Sequence, residues 1–297
     1  MSESVTLAAL LRPVRSLCAL LLLTLLGACG GSVSRVEPFV PARLVVFGDE
    51  LSAIDPGTSG LAPKGYRYSI NAFGTDSSGN AVFDCTLNPI WTQVLASAFG
   101  LQFADCPTVS GATTTAEMYA AGGATVAQVE QQVALYRSRG GSFTPTTLVT
   151  LQAGMNDILA AYSAVKAGTL SDADALTQVA NAGATLATLA NAIADGGAGG
   201  RVLYLTVHSL NITPFWAQQS SGDQSRAANL NALANAFNRE LRKGVENNGY
   251  ALGLVLDDNV LRTMYTVPTG VGYVMNDITH PACVGVLLPN CTTATLQ

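Results

Sequence analysis

Four short stretches of this chain carry side chains that could act on a substrate. Leu44-Val-Val-Phe-Gly-Asp-Glu-Leu-Ser52 places a carboxylate, Glu50, just past an apolar run. Tyr119-Ala-Ala-Gly-Gly-Ala-Thr125 offers a glycine pair, and Gly154-Met-Asn-Asp157 an amide beside a carboxylate. Asn276-Asp-Ile-Thr-His-Pro281 sets Asp277 one helical turn before His280. An imidazole whose tautomer is fixed by a carboxylate can take and return a proton. A glycine lets a backbone N–H come close to a ligand, and an asparagine amide donates in the same way. A base, its orienter and donors for a developing oxyanion are what acyl chemistry needs besides a nucleophile.

Strands alternating with helices must position these groups. Leu44 to Phe47 reads as a buried strand, and Gly48-Asp49 ends it in a sharp turn. Side chains just past the carboxyl end of such a strand stand in the crevice where open α/β sheets keep their chemistry. Leu101–Cys106 reads as a second strand, Thr147–Gln152 as a β-branched central one, and Arg201–Val207 and Ala251–Leu256 as the last two. Helices are expected over Pro89–Gly100, from about Thr125 to Tyr136, after Asp157, over Ala173–Ala194 and over Gln224–Asn247. In the first of these, Trp91, Val94, Leu95 and Phe99 share the expected inner face. Such alternation gives a parallel sheet covered on both sides. Ser52–Cys85, rich in Gly, Ser, Asp and Asn, reads as long irregular loops, and with Thr213–Asp223 it is expected to shape a pocket. Tyr66, Tyr68, Phe73, Phe215 and Trp216 are its candidate aromatics.

The order of these blocks resembles that of the SGNH (GDSL) hydrolases, from about Leu44 onward. That family reads Phe-Gly-Asp-Ser-Leu-Ser in its first block, with the first Ser as nucleophile. The resemblance implies a flavodoxin-like three-layer α/β sandwich with a parallel sheet of about five strands, and a lipase or esterase activity that needs no cofactor or metal. It also implies roles: Gly123 and Asn156 as oxyanion donors, His280 as base and Asp277 as its orienter. Read locally, Gly122-Gly123 also suits a strand-to-helix turn, and Asn156-Asp157 a helix N-cap. His208 reads as a packed or capping histidine. The family usually closes with an amphipathic helix, for which Val284–Leu288 offers only a stub before Pro289.

The chain departs from the family at its nucleophile, where Glu50 stands. Donors built to hold an oxyanion would then hold this carboxylate and favour its ionised form. Glu50 would fill its own oxyanion hole. A carboxylate attacks an ester poorly, but it can serve as a general base on water. Ser52, two residues along the turn, should point elsewhere. Two readings stay open: an ester hydrolase working through an atypical Glu50–His280–Asp277 site, and a silent relative that binds a lipid or glycan.

Composition bounds the setting. Of 297 residues, 48% are hydrophobic and only 12% charged, about half the roughly 25% of an average soluble domain. The formal charge of −5 provides no basic stripe for nucleic acid, which is excluded as a partner. Arg12, Arg15 and the apolar stretch Leu17–Leu26 read as a targeting segment, ending in Leu26-Gly-Ala-Cys29, which resembles a bacterial lipobox. The expected organisation is a signal over 1–29 with Cys29 lipidated, a tether over 30–41 and a single domain over 42–297. The protein would thus be exported to the bacterial cell envelope and lipid-anchored to the outer membrane, on its periplasmic or surface side, with a small-molecule, lipid or acyl-glycan ester as substrate. Besides Cys18 and Cys29, the chain holds Cys85, Cys106, Cys283 and Cys291. Four cysteines allow three pairings, and the local one, Cys85–Cys106 with Cys283–Cys291, closes the shortest loops and is expected. Zinc is not, since the only histidines are His208 and His280 and no Cys-x-x-Cys occurs.

Overall fold

The run Leu44–Phe47 carries no polar side chain, and in the computed structural model it forms the heart of β1 (Arg43–Gly48), fully buried. Successive side chains of a strand point to opposite faces, so this one strand feeds two cores. Val45 and Phe47 enter the larger, Leu44 and Val46 the smaller. The structure describes residues 38–57, 64–75, 77–79, 81–107, 114–214, 216, 224–266, 277, 279–286 and 290–296. The expected signal, Cys29, most of the tether and most of the 213–223 loop, Phe215 included, lie outside them. The chain divides into two compact units, Met1–Phe39 and Val40–Gln297, and the architecture below is that of the second.

After β1 come an antiparallel hairpin, β2 (Ala72–Thr75) and β3 (Ala81–Asp84), then α1 (Trp91–Ala98), β4 (Ala116–Met118) and α2 (Val126–Ser138). β5 (Thr147–Gln152), α3 (Met155–Lys166), α4 (Asp172–Ala194), β6 (Arg201–Leu205), α5 (Gln224–Gly244), β7 (Leu252–Val255) and α6 (Asp257–Thr266) follow. Five strands form one parallel sheet in the order β4-β1-β5-β6-β7. This is the flavodoxin-like order, which reverses direction between β1 and β5 and opens a crevice at their carboxyl ends. The register there runs Phe47↔Leu151 and Gly48↔Gln152, so the turn holding Glu50 emerges at that crevice.

Three sequence expectations are corrected. The strand beside β1 is Ala116–Met118; within Leu101–Cys106 only Phe103 makes a bridge, to Ala116. The segment from Ser52 to Cys85 is not all irregular, because it contains the β2–β3 hairpin. And α1 buries Thr92, Gln93 and Ala96, leaving Val94 exposed. Its polar residues face inward because each has a backbone partner: the Thr92 hydroxyl donates to Ser52 O at 3.2 Å, and Gln93 Oε1 accepts Ile90 N–H at 3.2 Å.

Both expected disulfides are present, Cys85–Cys106 and Cys283–Cys291. The first lies beside Arg67, a buried guanidinium that donates to Leu87 O at 2.9 Å and lies 5.0 Å from the centre of the Phe83 ring. The second closes a C-terminal loop fastened by buried Asn71, whose backbone and side-chain N–H groups donate to Cys291 O at 2.8 and 2.9 Å. That loop begins just after His280. No closing helix forms over Val284–Val286. Among the described residues, no helix is long and apolar enough to cross a membrane.

Helices α4 and α5 pack with Gly183 against Phe237, and a Cβ added at Gly183 would lie 2.3 Å from the Phe237 carbonyl oxygen. Neither backbone can yield without moving a helix. Gly183→Ala should therefore cost about 1–3 kcal/mol, the range for overpacked interiors. Chemical denaturation would read this as a lower midpoint at unchanged slope; an unchanged midpoint would show that the two helices slide apart freely.

Candidate active site

The turn after β1 is fixed before any catalytic group is considered. Gln132 of α2 grips Gly48 twice: its Oε1 accepts Gly48 N–H at 2.8 Å, and its Nε2 donates to Gly48 O at 2.9 Å. A Cβ on Gly48 would stand 2.5 Å from Gln152 O, so the tight approach of β1 to β5 requires glycine. Asp49 Oδ1 accepts Leu51 N–H at 3.1 Å, and Asp49 O accepts Ser52 N–H at 3.1 Å, closing the turn. Ser52 is buried and its hydroxyl donates to Gln152 Oε1 at 2.6 Å, an oxygen that also accepts Trp91 Nε1–H at 3.0 Å. Ser52 braces the turn and does not itself line the crevice.

Glu50 is the side chain the turn presents. Its Oε2 accepts Gly123 N–H at 2.8 Å and the Asn156 amide at 3.0 Å. Gly123 has φ +75°, a left-handed conformation that glycine adopts at no steric cost. Asn156 comes from the first turn of α3, and its amide also reaches Ala124 O at 3.1 Å. The neighbouring Asp157 accepts Val126 N–H at the start of α2 at 3.0 Å, tying the two donor segments together. Burial pushes the Asp157 carboxyl up from its ordinary value. Gly154, which opens this block, has φ +116°, and a Cβ there would meet the Phe237 ring at 2.4 Å. The glycine of the motif is thus required by backbone conformation and by packing together.

Asp277 and His280 form a local pair, with His280 Nδ1 2.7 Å from Asp277 Oδ2. Asp277 Oδ1 accepts the backbone N–H of Thr279 at 2.7 Å and of His280 at 3.1 Å. The Thr279 N–H first, then His280 and the Thr279 hydroxyl, hold the Asp277 carboxyl well below the usual carboxylate range. The pair is open to solvent, at 69% exposure for the His280 side chain and 51% for that of Asp277. His280 and Glu50 both line one cleft of about 1370 Å³, larger than the roughly 300–1,000 Å³ of most small-molecule pockets. Among the described residues, His280 makes no hydrogen bond to Glu50. The structure thus brings Glu50, Gly123 and Asn156 into direct contact and sets the Asp277–His280 pair on the same cleft.

Several cleft residues escaped the sequence reading. Leu51, Ile90, Met155 and Leu159 give it an apolar wall. Trp91 lines it too. Tyr68, one of the expected pocket aromatics, is also there, its hydroxyl pushed up to about 12 by burial and by the charges of Glu50 and Asp49. Of the other expected aromatics, Tyr66 and Phe73 cluster with Phe83, and Trp216 is buried near Tyr162. His208, expected as a packed or capping residue, also faces the cleft, paired with Asp257. Both follow the ends of strands β6 and β7, so the strand-end rule applied to Glu50 would have found them. Among the described residues, no group of three or more His, Cys, Asp or Glu side chains could hold a metal ion.

Asp49 is 1% exposed, and its Oδ2 has no hydrogen-bond partner among the described residues. Burial, then the Glu50 charge, pushes its carboxyl well above the ordinary value. The native state therefore holds this proton to higher pH than the unfolded chain, whose aspartates release theirs near about 3.9. Stability falls as pH rises through that window, because the folded state binds more protons. Asp49→Asn should abolish this loss, so its melting temperature relative to wild type should improve as the pH rises above about 4. A constant difference across that range would show that Asp49 is ionised in the fold.

The likeness of this chain to known proteins agrees with the geometry. A family model described as GDSL-like Lipase/Acylhydrolase matches residues 44–281, from the start of β1 to just past His280. No curated protein matches the chain. The family match spans most of the sequence and all four blocks, and the chain belongs to the GDSL-like lipase/acylhydrolase family.

Proposed function

We propose that this protein hydrolyses apolar carboxylic esters slowly, in the bacterial cell envelope, through water activated by Glu50. The observation that carries the reading is Glu50 itself, a half-buried carboxylate where two donors converge, in an apolar cleft shared with a carboxylate-held histidine. In the reaction Glu50 takes a proton from water, and the resulting hydroxide adds to the ester carbonyl carbon. The tetrahedral intermediate then breaks its bond to the alkoxide, which receives its proton from a protonated His280. Glu50 returns its proton to His280 through solvent, leaving acid and alcohol. Asp277 acts as positioning residue, holding the Nδ1 side of the ring so that Nε2 does the exchange.

Gly123 and Asn156 can hold the oxyanion only when Glu50 swings away from them. Hydrogen bonds to a charged group contribute about 1.5–3 kcal/mol each, so giving up two slows turnover by about 10²–10⁴. That places the enzyme well below a serine esterase, whose nucleophile alone accounts for about 10⁶. The same contact favours a second reading, a ligand-holding relative in which Glu50 permanently plugs the hole.

Assays with p-nitrophenyl esters separate the two. Wild type should exceed buffer, Glu50→Gln should lose at least tenfold, and His280→Ala should lose about 10²-fold, the scale of general acid–base catalysis. Glu50→Ser should accelerate turnover and become labelled by a fluorophosphonate at residue 50. Wild type at the buffer rate, with Glu50→Ser active, would establish the ligand-holding reading instead.

The envelope placement rests on Arg12, Arg15, Leu17–Leu26 and Cys29. Cells fed labelled palmitate should incorporate it into the wild-type chain and not into Cys29→Ala. Equal labelling of both would remove the lipid anchor from the proposal.

A further inference from the structure

His208 and Asp257 form a second imidazole–carboxylate pair in the cleft, with Nδ1 and Oδ2 3.0 Å apart. It is better sheltered than the first, at 15% exposure for the His208 side chain and 29% for that of Asp257. Both members are anchored from behind. The residue before His208 is clamped by buried Asn238 of α5, whose Oδ1 accepts Val207 N–H at 2.8 Å and whose Nδ2 donates to Val207 O at 2.7 Å. The residue after Asp257 is clamped as well. Asp258 accepts the Thr206 hydroxyl at 2.8 Å and the Arg242 guanidinium at 2.7 Å, which ties the first turn of α6 to the end of β6. Such bracing fixes a side chain that meets a ligand.

The pairing also fixes what the ring offers. A carboxylate oxygen only accepts, so the proton of the neutral imidazole sits on Nδ1, and Nε2 is left as an acceptor. Among the described residues Nε2 has no hydrogen-bond partner. Leu205, Leu210, Val255 and Leu261 line the same cleft. A ligand that covers this acceptor without bringing a donor leaves it unsatisfied, which is costly.

We propose that His208, held by Asp257, is a hydroxyl-recognising residue, so that the preferred ligand is an ester bearing a free hydroxyl. The hydroxyl could belong to a glycerol or sugar in the alcohol part, or to a hydroxylated acyl chain. The inference rests on the reading that the cleft receives an ester, but it does not require that Glu50 hydrolyse it.

Binding is therefore the measurement, by quenching of the tryptophan emission, since Trp91 lines the cleft. At pH 8, monododecanoylglycerol, a dodecanoyl glucose ester and methyl 12-hydroxydodecanoate are each compared with methyl dodecanoate. At least one hydroxylated ester should bind about 10- to 100-fold more tightly than the plain ester, the scale of one unsatisfied buried acceptor; which one does so identifies the source. His208→Leu should reduce that preference to within about threefold, because the plain ester no longer covers an acceptor it cannot satisfy. Repetition in Glu50→Ala should keep the preference, so loss of hydrolysis and loss of hydroxyl recognition are read separately. A second measurement needs no change at His208. With two histidines in the chain, His280→Ala leaves His208 as the sole imidazole. Its ¹⁵N signals should show a protonated Nδ1 and a bare Nε2, the latter shifting when the hydroxylated ester binds. Wild type without a preference, His208→Leu that retains it, or an Nε2 signal unmoved by the ligand would overturn the proposal.

Discussion

Two N–H donors from different segments meet on a single oxygen of Glu50, and most of the structure serves that meeting. Gly123 reaches it from the loop between β4 and α2, and Asn156 from the first turn of α3. Glu50 stands between them because β1 ends where the sheet order reverses. The hydrogen bonds from Gln132 to Gly48 and from Val126 to Asp157 hold the three pieces in register. Both donors are thus already engaged by a side chain of the chain itself.

The remainder of the cleft reads as accommodation for an apolar ligand with polar groups at separate positions. The wall of Leu51, Ile90, Met155 and Leu159 lies with Glu50, whereas His208 and Asp257 belong to the strand ends at the other edge of the sheet. His280 is the most exposed of the polar groups, so the C-terminal loop contributes to the cleft from its solvent side. The five-strand sheet supplies rigidity, and the loops at its carboxyl edge supply chemistry.

Much of this was legible because it is local. The β1 run, the β5 run, the long helices α4 and α5 and the short cysteine loops each declare themselves within a window of a few residues. Glu50, Gly123 and Asn156 were found through the order of their blocks, and the family resemblance placed the carboxylate against both donors and toward His280; the donors meet it, whereas His280 makes no hydrogen bond to it among the described residues. What was missed depends on partners far along the chain. Ala116–Met118 is too short to announce itself and becomes a strand because β1 offers an open edge. Thr92 faces inward because Ser52 O awaits it, against the apolar pattern of its helix. His208 acquires its meaning from Asp257, which another strand and helix carry to it.

The fastening of the C-terminal loop also bears on how the molecule assembles. Asn71 and Cys291 are separated by 220 residues, and the loop docks on Asn71 through hydrogen bonds to one carbonyl oxygen. Contacts that close so long a stretch of chain lose entropy that only an already ordered surface repays. His280 stands three residues ahead of Cys283, so the fastening at Asn71 also limits how far the histidine can move from the cleft.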